Sequence, residues 1–214
     1  MAILTGGLLG KSRKAIGDLV TYVSGGQQIA RMKASSYKDA NSDDQKLQRN
    51  AFVLILGLFR ILMASVKVGF PERQSKHSAY NAFMMYNTPE AVSGALGSQV
   101  IDYSEIVTSK GSLLKASGAL VDSSITDRVD ITWDDNSNAT TGFTTDKAVI
   151  SVYNPVKDEV TTSLFDVTRQ TEARNITVPS AWQGDTVHAW LSFVSNDNAK
   201  ASDSVYIGSV TVSA

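Results

Sequence analysis

The sequence has no cysteine, which excludes disulfide staples and thiolate metal sites alike. It has two histidines, His77 and His188, too few for a histidine-rich metal centre. Charged residues make up 19% of the chain and hydrophobic residues 43%, a balance that excludes wholesale disorder. A length of 214 residues fits one large or two small domains. The opening Met1-Ala2-Ile3-Leu4-Thr5 lacks the basic region and long apolar stretch of a secretory signal.

Catalytic groupings are missing too. Neither histidine stands beside a nucleophile elbow or a pair of carboxylates, so no enzyme and no cofactor are expected. The run Gly6-Gly7-Leu8-Leu9-Gly10-Lys11-Ser12 has the flavour of a phosphate loop. It fails on spacing, because Thr5 stands where the first glycine of such a loop is required. Asp134-Asp135-Asn136-Ser137-Asn138 offers hard oxygen ligands without the spacing of a calcium loop, and a solvated turn is expected there.

The near-neutral total of -1 hides an asymmetry. Residues 1–100 hold twelve Lys and Arg against six Asp and Glu, while residues 101–214 hold eight against fifteen. The halves therefore carry +6 and -7, which argues for two units with unlike surfaces.

In the first half, two β-rich runs flank Gly25-Gly26, and a two-residue turn with positive φ at both positions predicts a hairpin over residues 18–33. Ser42 and Gln45 at capping-box spacing, with Asp43 and Asp44 between them, predict a helix start. That helix runs through Phe52–Met63, apolar on nearly every side, which predicts burial on most sides. The run is shorter than the ~20 apolar residues of a membrane span and contains Arg60, so no span is expected. Ala79–Tyr86 reads as a second helix, with a separate short turn expected from Thr88-Pro89 to Gly94. Some of the first helix is expected to need cover from another subunit. The candidate assembly residues are Leu54, Leu56, Phe59 and Leu62, with Arg31 and Lys33 on the hairpin.

From residue 110 the texture changes to short alternating runs. Strands are expected at 112–120, 128–133, 147–153, 160–167, 175–178, 186–194 and 205–212. Seven strands in about a hundred residues fit an antiparallel β-sandwich of immunoglobulin or fibronectin-III type. Trp133 and Trp190 are expected to face inward, with Tyr153 and Tyr206 on opposing strands and His188 toward solvent. The fold class is therefore α+β, divided into a basic hairpin-plus-helices region (1–109) and a sandwich (110–214).

The order of features is familiar. The hairpin ending Ile29-Ala30-Arg31-Met32-Lys33 leads to Gln45-Lys46-Leu47-Gln48-Arg49-Asn50-Ala51-Phe52, then Ser78-Ala79-Tyr80-Asn81-Ala82 and Val152-Tyr153-Asn154-Pro155. This resembles an uncharacterised family of Bacteroidota and associated phage-like proteins, a domain of unknown function. The resemblance implies context rather than chemistry. The expected role is non-enzymatic: a self-assembling subunit of a virion, phage-derived particle or filament, located in the virion or the cytoplasm. Its partners would be copies of itself, head to tail, and other structural proteins of the assembly. The alternative is a nucleic-acid-associated protein using the basic first half.

Overall fold

The computed structural model describes residues 2–4 (backbone only), 14–34, 36, 39–74, 77–138 and 140–214. The Gly6–Ser12 run lies outside them. The chain divides into two units, residues 1–42 and 43–214.

The first unit is a sheet of four antiparallel strands: β1 (Ala2–Leu4), β2 (Lys14–Ile16), β3 (Leu19–Ser24) and β4 (Gln27–Met32), in the order β1-β4-β3-β2. Gly25 and Gly26 turn β3 into β4 with φ of 55° and 76°, the positive pair that a tight hairpin demands. The register sets two neighbouring rows across the sheet, Ile16–Leu19–Met32 and Lys14–Thr21–Ala30.

In the second unit, α1 (Asp43–Gly69) opens on Asp43 and Asp44, whose charges suit the positive end of the helix dipole. It buries Ala51, Ile55, Leu58, Leu62, Ser65, Val66 and Gly69, a stripe at helical spacing. Close approach ends it: a Cβ at Gly69 would collide with the Thr108 carbonyl, and Pro71 follows. The terminal Gly69 carbonyl accepts from Lys110 N at 3.0 Å and Ser109 Oγ at 2.8 Å. Its 27 residues exceed the expected run, and α1 is long and apolar enough to cross a membrane, with mean hydropathy 2.1 over eighteen residues. Core helices satisfy the same measure.

Helix α2 (Ala79–Glu90) is capped by Ser78, whose Oγ accepts from Asn81 N at 3.1 Å. It runs straight through Thr88-Pro89, where a separate turn was expected. Pro89 sits one residue before the helix end, so only the Met85 carbonyl loses its donor. Buried Asn87 then ties α2 to the chain beyond it. Its amide donates to Phe83 O and Val107 O at 2.9 Å, and its Oδ1 accepts from Val107 N at 2.7 Å.

A small hairpin, β5 (Val92–Ser93) and β6 (Val100–Ile101), follows. Seven strands complete the unit: β7 (Leu120–Asp122), β8 (Arg128–Thr132), β9 (Lys147–Asn154), β10 (Glu159–Thr168), β11 (Ala173–Thr177), β12 (Thr186–Val194) and β13 (Val205–Thr211). They form two antiparallel sheets, β10-β9-β12-β13 and β11-β8-β7. The strand expected over 112–120 is absent: Leu113 makes a single bridge to Ser202, and β7 begins only at Leu120.

Between the sheets lies one core, built from Val129, Ile131 and Trp133, Ile176, Ala148, Ile150 and Val152, Val187, Ala189, Leu191 and Phe193. A second core covers the other face of β9 and β12. There Ile55, Leu58, Leu62, Val66 and Phe70 of the α1 segment and Phe83 of α2 meet Tyr153 and Trp190. The unit thus has three layers, sheet, sheet and helices. Ser65 Oγ of α1 lies 2.5 Å from Ser151 Oγ of β9, fixing helix to sheet.

This architecture corrects the expected boundary at 109/110. The helices roof the sandwich and share its burial, and the division falls at 42/43 instead. Trp133 faces between the sheets. Trp190 does not: one strand residue from Leu191, it points to the helices and is buried there. Tyr153 and Tyr206 lie on β9 and β13, either side of β12 in one sheet.

Candidate assembly surface

Residues paired across an antiparallel sheet share a face, and alternate residues along a strand return to it. One face of the first unit therefore carries Ile16, Leu19, Val23 and Met32 with Thr21, Ala30, Gln28 and Lys14. The opposite face carries Val20, Tyr22, Ile29 and Arg31. Thr21 and Ala30 are the only buried residues among those described in this unit. Met32 is 69% exposed, and Ile16 and Val23 lie open on the same face. This sheet has apolar side chains on both sides and no packed core among its described residues, unlike the second unit.

The outward side of α1 is the second uncovered apolar surface. Val53 is 63% exposed and Phe52 is exposed beside it, while a Cβ at Gly57 would meet open space. Gln48, Arg49, Phe52 and Val53 line a shallow groove of about 340 Å³. A second depression of about 230 Å³ adjoins it through Val53 and reaches Leu54, Gly97 and Gln99 of the β5–β6 turn. The same hairpin exposes Leu96 and Val100.

The expected assembly residues divide between surface and core. Leu62 is wholly buried, and Phe59 packs edge-on against Tyr80 at 5.0 Å and near Phe83 at 5.8 Å. Leu56 packs against the same core. Leu54 lines the second depression, and Arg31 and Lys33 are exposed on the first unit. Phe52 and Val53, about a turn earlier, are the exposed apolar pair that the sequence did not single out. An all-apolar helix has no polar stripe to reveal its phase, so periodicity alone could not separate the two sides.

Units redrawn at residue 42 keep the charge contrast. Residues 1–42 hold six basic and two acidic residues, net +4, and residues 43–214 hold fourteen and nineteen, net -5.

His188 is half-buried, contrary to the solvent position expected, with Nδ1 2.8 Å from Tyr206 Oη and its ring 4.3 Å from that of Tyr103. Burial holds its pKa below the usual imidazole value. Tyr153 donates to Asp158 at 2.8 Å, and burial pushes that phenol well above its ordinary range. Among the described residues Trp190 Nε1 has no hydrogen-bond partner. His77 is exposed, and its carbonyl accepts from Arg73. Among the described residues no three metal-ligating side chains converge. In the Asp134–Asn138 loop, Asn138 Oδ1 accepts from Thr140, Thr141 and Gly142 N, and Asn136 holds Lys115 O and Arg169.

A model of a family of unknown function, DUF6266, matches residues 10–208. The chain belongs to that family. A comparison with curated proteins gives no match. Among solved structures, the fn3 domain of human collagen alpha-1(XX) chain is similar at 11% identity and a TM-score of 0.36, over 47% of this chain and 86% of that one. The fn3 domain of human contactin 1 is similar at 11% identity and a TM-score of 0.32, over 57% of this chain and 93% of that one.

Proposed function

We propose that this chain is a non-enzymatic structural protein, a self-assembling subunit of a virion, phage-derived particle or filament, in the virion or the cytoplasm. The two packed sheets are read as an immunoglobulin or fibronectin-III-like sandwich, displayed on the assembly or used as a further contact with other structural proteins. The observation that carries the reading is the first unit: a basic sheet on one face of which Ile16, Val23 and Met32 stand exposed around buried Thr21 and Ala30. Exposed apolar side chains on a sheet face gain stability by burial against another body. The membership of Bacteroidota and phage-like proteins suggested by the motifs fits this setting.

The charges oppose like-with-like stacking and favour a head-to-tail contact between unlike units, which builds rings or filaments. Light scattering across a concentration series tests the proposal, with mass rising above 23.0 kDa as the expected result. The second reading, nucleic-acid binding, rests on exposed Lys14, Arg31 and Lys33. Lys14 and Arg31 lie on opposite faces of the sheet and form no single stripe, which ranks it lower. Steeply salt-dependent DNA binding by a monomer would favour it.

A further inference from the structure

Building on the assembly reading, we infer that the outward surface of α1 with the β5–β6 hairpin receives the first-unit sheet of a second copy of this chain. The receiving surface is Phe52 and Val53 with Leu96 and Val100, joined by the two shallow depressions that share Val53. The entering surface is Ile16, Val23 and Met32, which the register places on one face. Both are exposed in the single chain. Each is apolar, as the centre of a protein contact is, and the depressions give exposed apolar side chains room for burial.

Charge selects the occupant. A sheet unit of net +4 repels a second sheet unit, and a body of net -5 repels a second body. The unlike pairing is the attractive one, and it uses different surfaces on the two copies. Each growing assembly then keeps one free donor sheet at one end and one free receiving surface at the other, so growth continues until a ring closes.

Complementation of two blocked chains tests this. Val53→Asp spoils the receiving surface and leaves the sheet intact, while Met32→Asp does the reverse. Val100→Asp and the strand-compatible Met32→Thr are parallel variants, and circular dichroism melts confirm that each chain is folded. Wild-type chain should gain mass with concentration, and each variant alone should remain at 23.0 kDa. An equimolar mixture should stop at about 46 kDa, twice 23.0 kDa, because the intact sheet of one variant fits the intact surface of the other. If wild type assembles and folded Val53→Asp and Val100→Asp chains assemble equally well, the receiving surface is wrong while the assembly reading stands. If each variant is monomeric and the mixture also stays monomeric, the head-to-tail pairing is wrong. A wild-type chain monomeric at every concentration removes the assembly reading itself.

Discussion

Asp146→Ala should be among the most damaging single changes in residues 43–214. Arg169 and Asp146 pair at 3.2 Å with side chains 0% and 1% exposed. The guanidinium also donates to Asn136 Oδ1 at 2.6 Å and Leu114 O at 2.8 Å and lies 3.9 Å from the centre of the Phe193 ring. Burial lowers its pKa and Asp146 offsets that, yet an arginine at neutral pH stays charged. Removing the carboxylate therefore leaves an uncompensated buried cation, a loss of about 3–5 kcal/mol. For a unit of this size that is a drop of about 6–20 °C in Tm. Urea and thermal melts at pH 7 should show the loss at low salt and again in 1 M NaCl, since a buried pair is little screened. Removing both charges with Asp146→Ala and Arg169→Met should be no worse than Asp146→Ala alone. A loss below about 1 kcal/mol for the single change, or its disappearance in high salt, would refute the reasoning.

Further outcomes follow from the three layers. Residues 43–214 expressed alone should melt cooperatively, whereas residues 110–214, stripped of the helices over Tyr153 and Trp190, should not; a cooperative melt of the shorter fragment would restore the boundary at 110. Trp133→Ala and Trp190→Ala should each cost about 3–5 kcal/mol by denaturant titration, and a loss below about 1 kcal/mol at position 190 would place that ring outside the helix-covered core. Because burial lowers the folded-state pKa of His188, the unfolded chain binds its proton first as pH falls below about 6.5. Stability should therefore be full above that pH and decline beneath it, and His188→Phe should flatten the decline in a pH series of melts. An unchanged pH profile in His188→Phe would remove His188 from the account. Raised salt should slow assembly more than it weakens finished particles, read by stopped-flow scattering and by dilution; equal effects would place charge at the centre of the contact.

Much of the fold was legible in the sequence wherever one signal dominated. Gly25-Gly26 marked its hairpin because only positive φ closes such a turn. Strand β8 alternates, with Val129 and Ile131 inward, and reads cleanly. Strands β9 and β12 were found, but their layer was not. Both are buried on both faces, and a strand covered on each side loses the polar alternation that separates inside from outside. Trp190 and His188, two residues apart on β12, share a face by the period of two, so reading them as facing opposite ways was not compatible with a regular strand.

Trp182 was passed over altogether. It sits in a 3-10 turn, Ser180–Trp182, wholly buried with Nε1 donating to Glu159 at 2.9 Å, and a three-residue turn offers no period to read. The Arg169–Asp146 pair joins positions far apart in the chain, and nothing local announces it. The candidate surface was half legible. Composition placed it on the apolar helix and on the hairpin, but the helix phase that separates Val53 from Leu62 comes only from what lies beneath.

The most direct test of the account is the mass of the full 214-residue chain, measured by multi-angle light scattering from low micromolar concentrations upward. The account predicts a mass that climbs above 23.0 kDa in whole-subunit steps and falls back on dilution. A mass fixed at 23.0 kDa across the whole range, with no partner added, would contradict it.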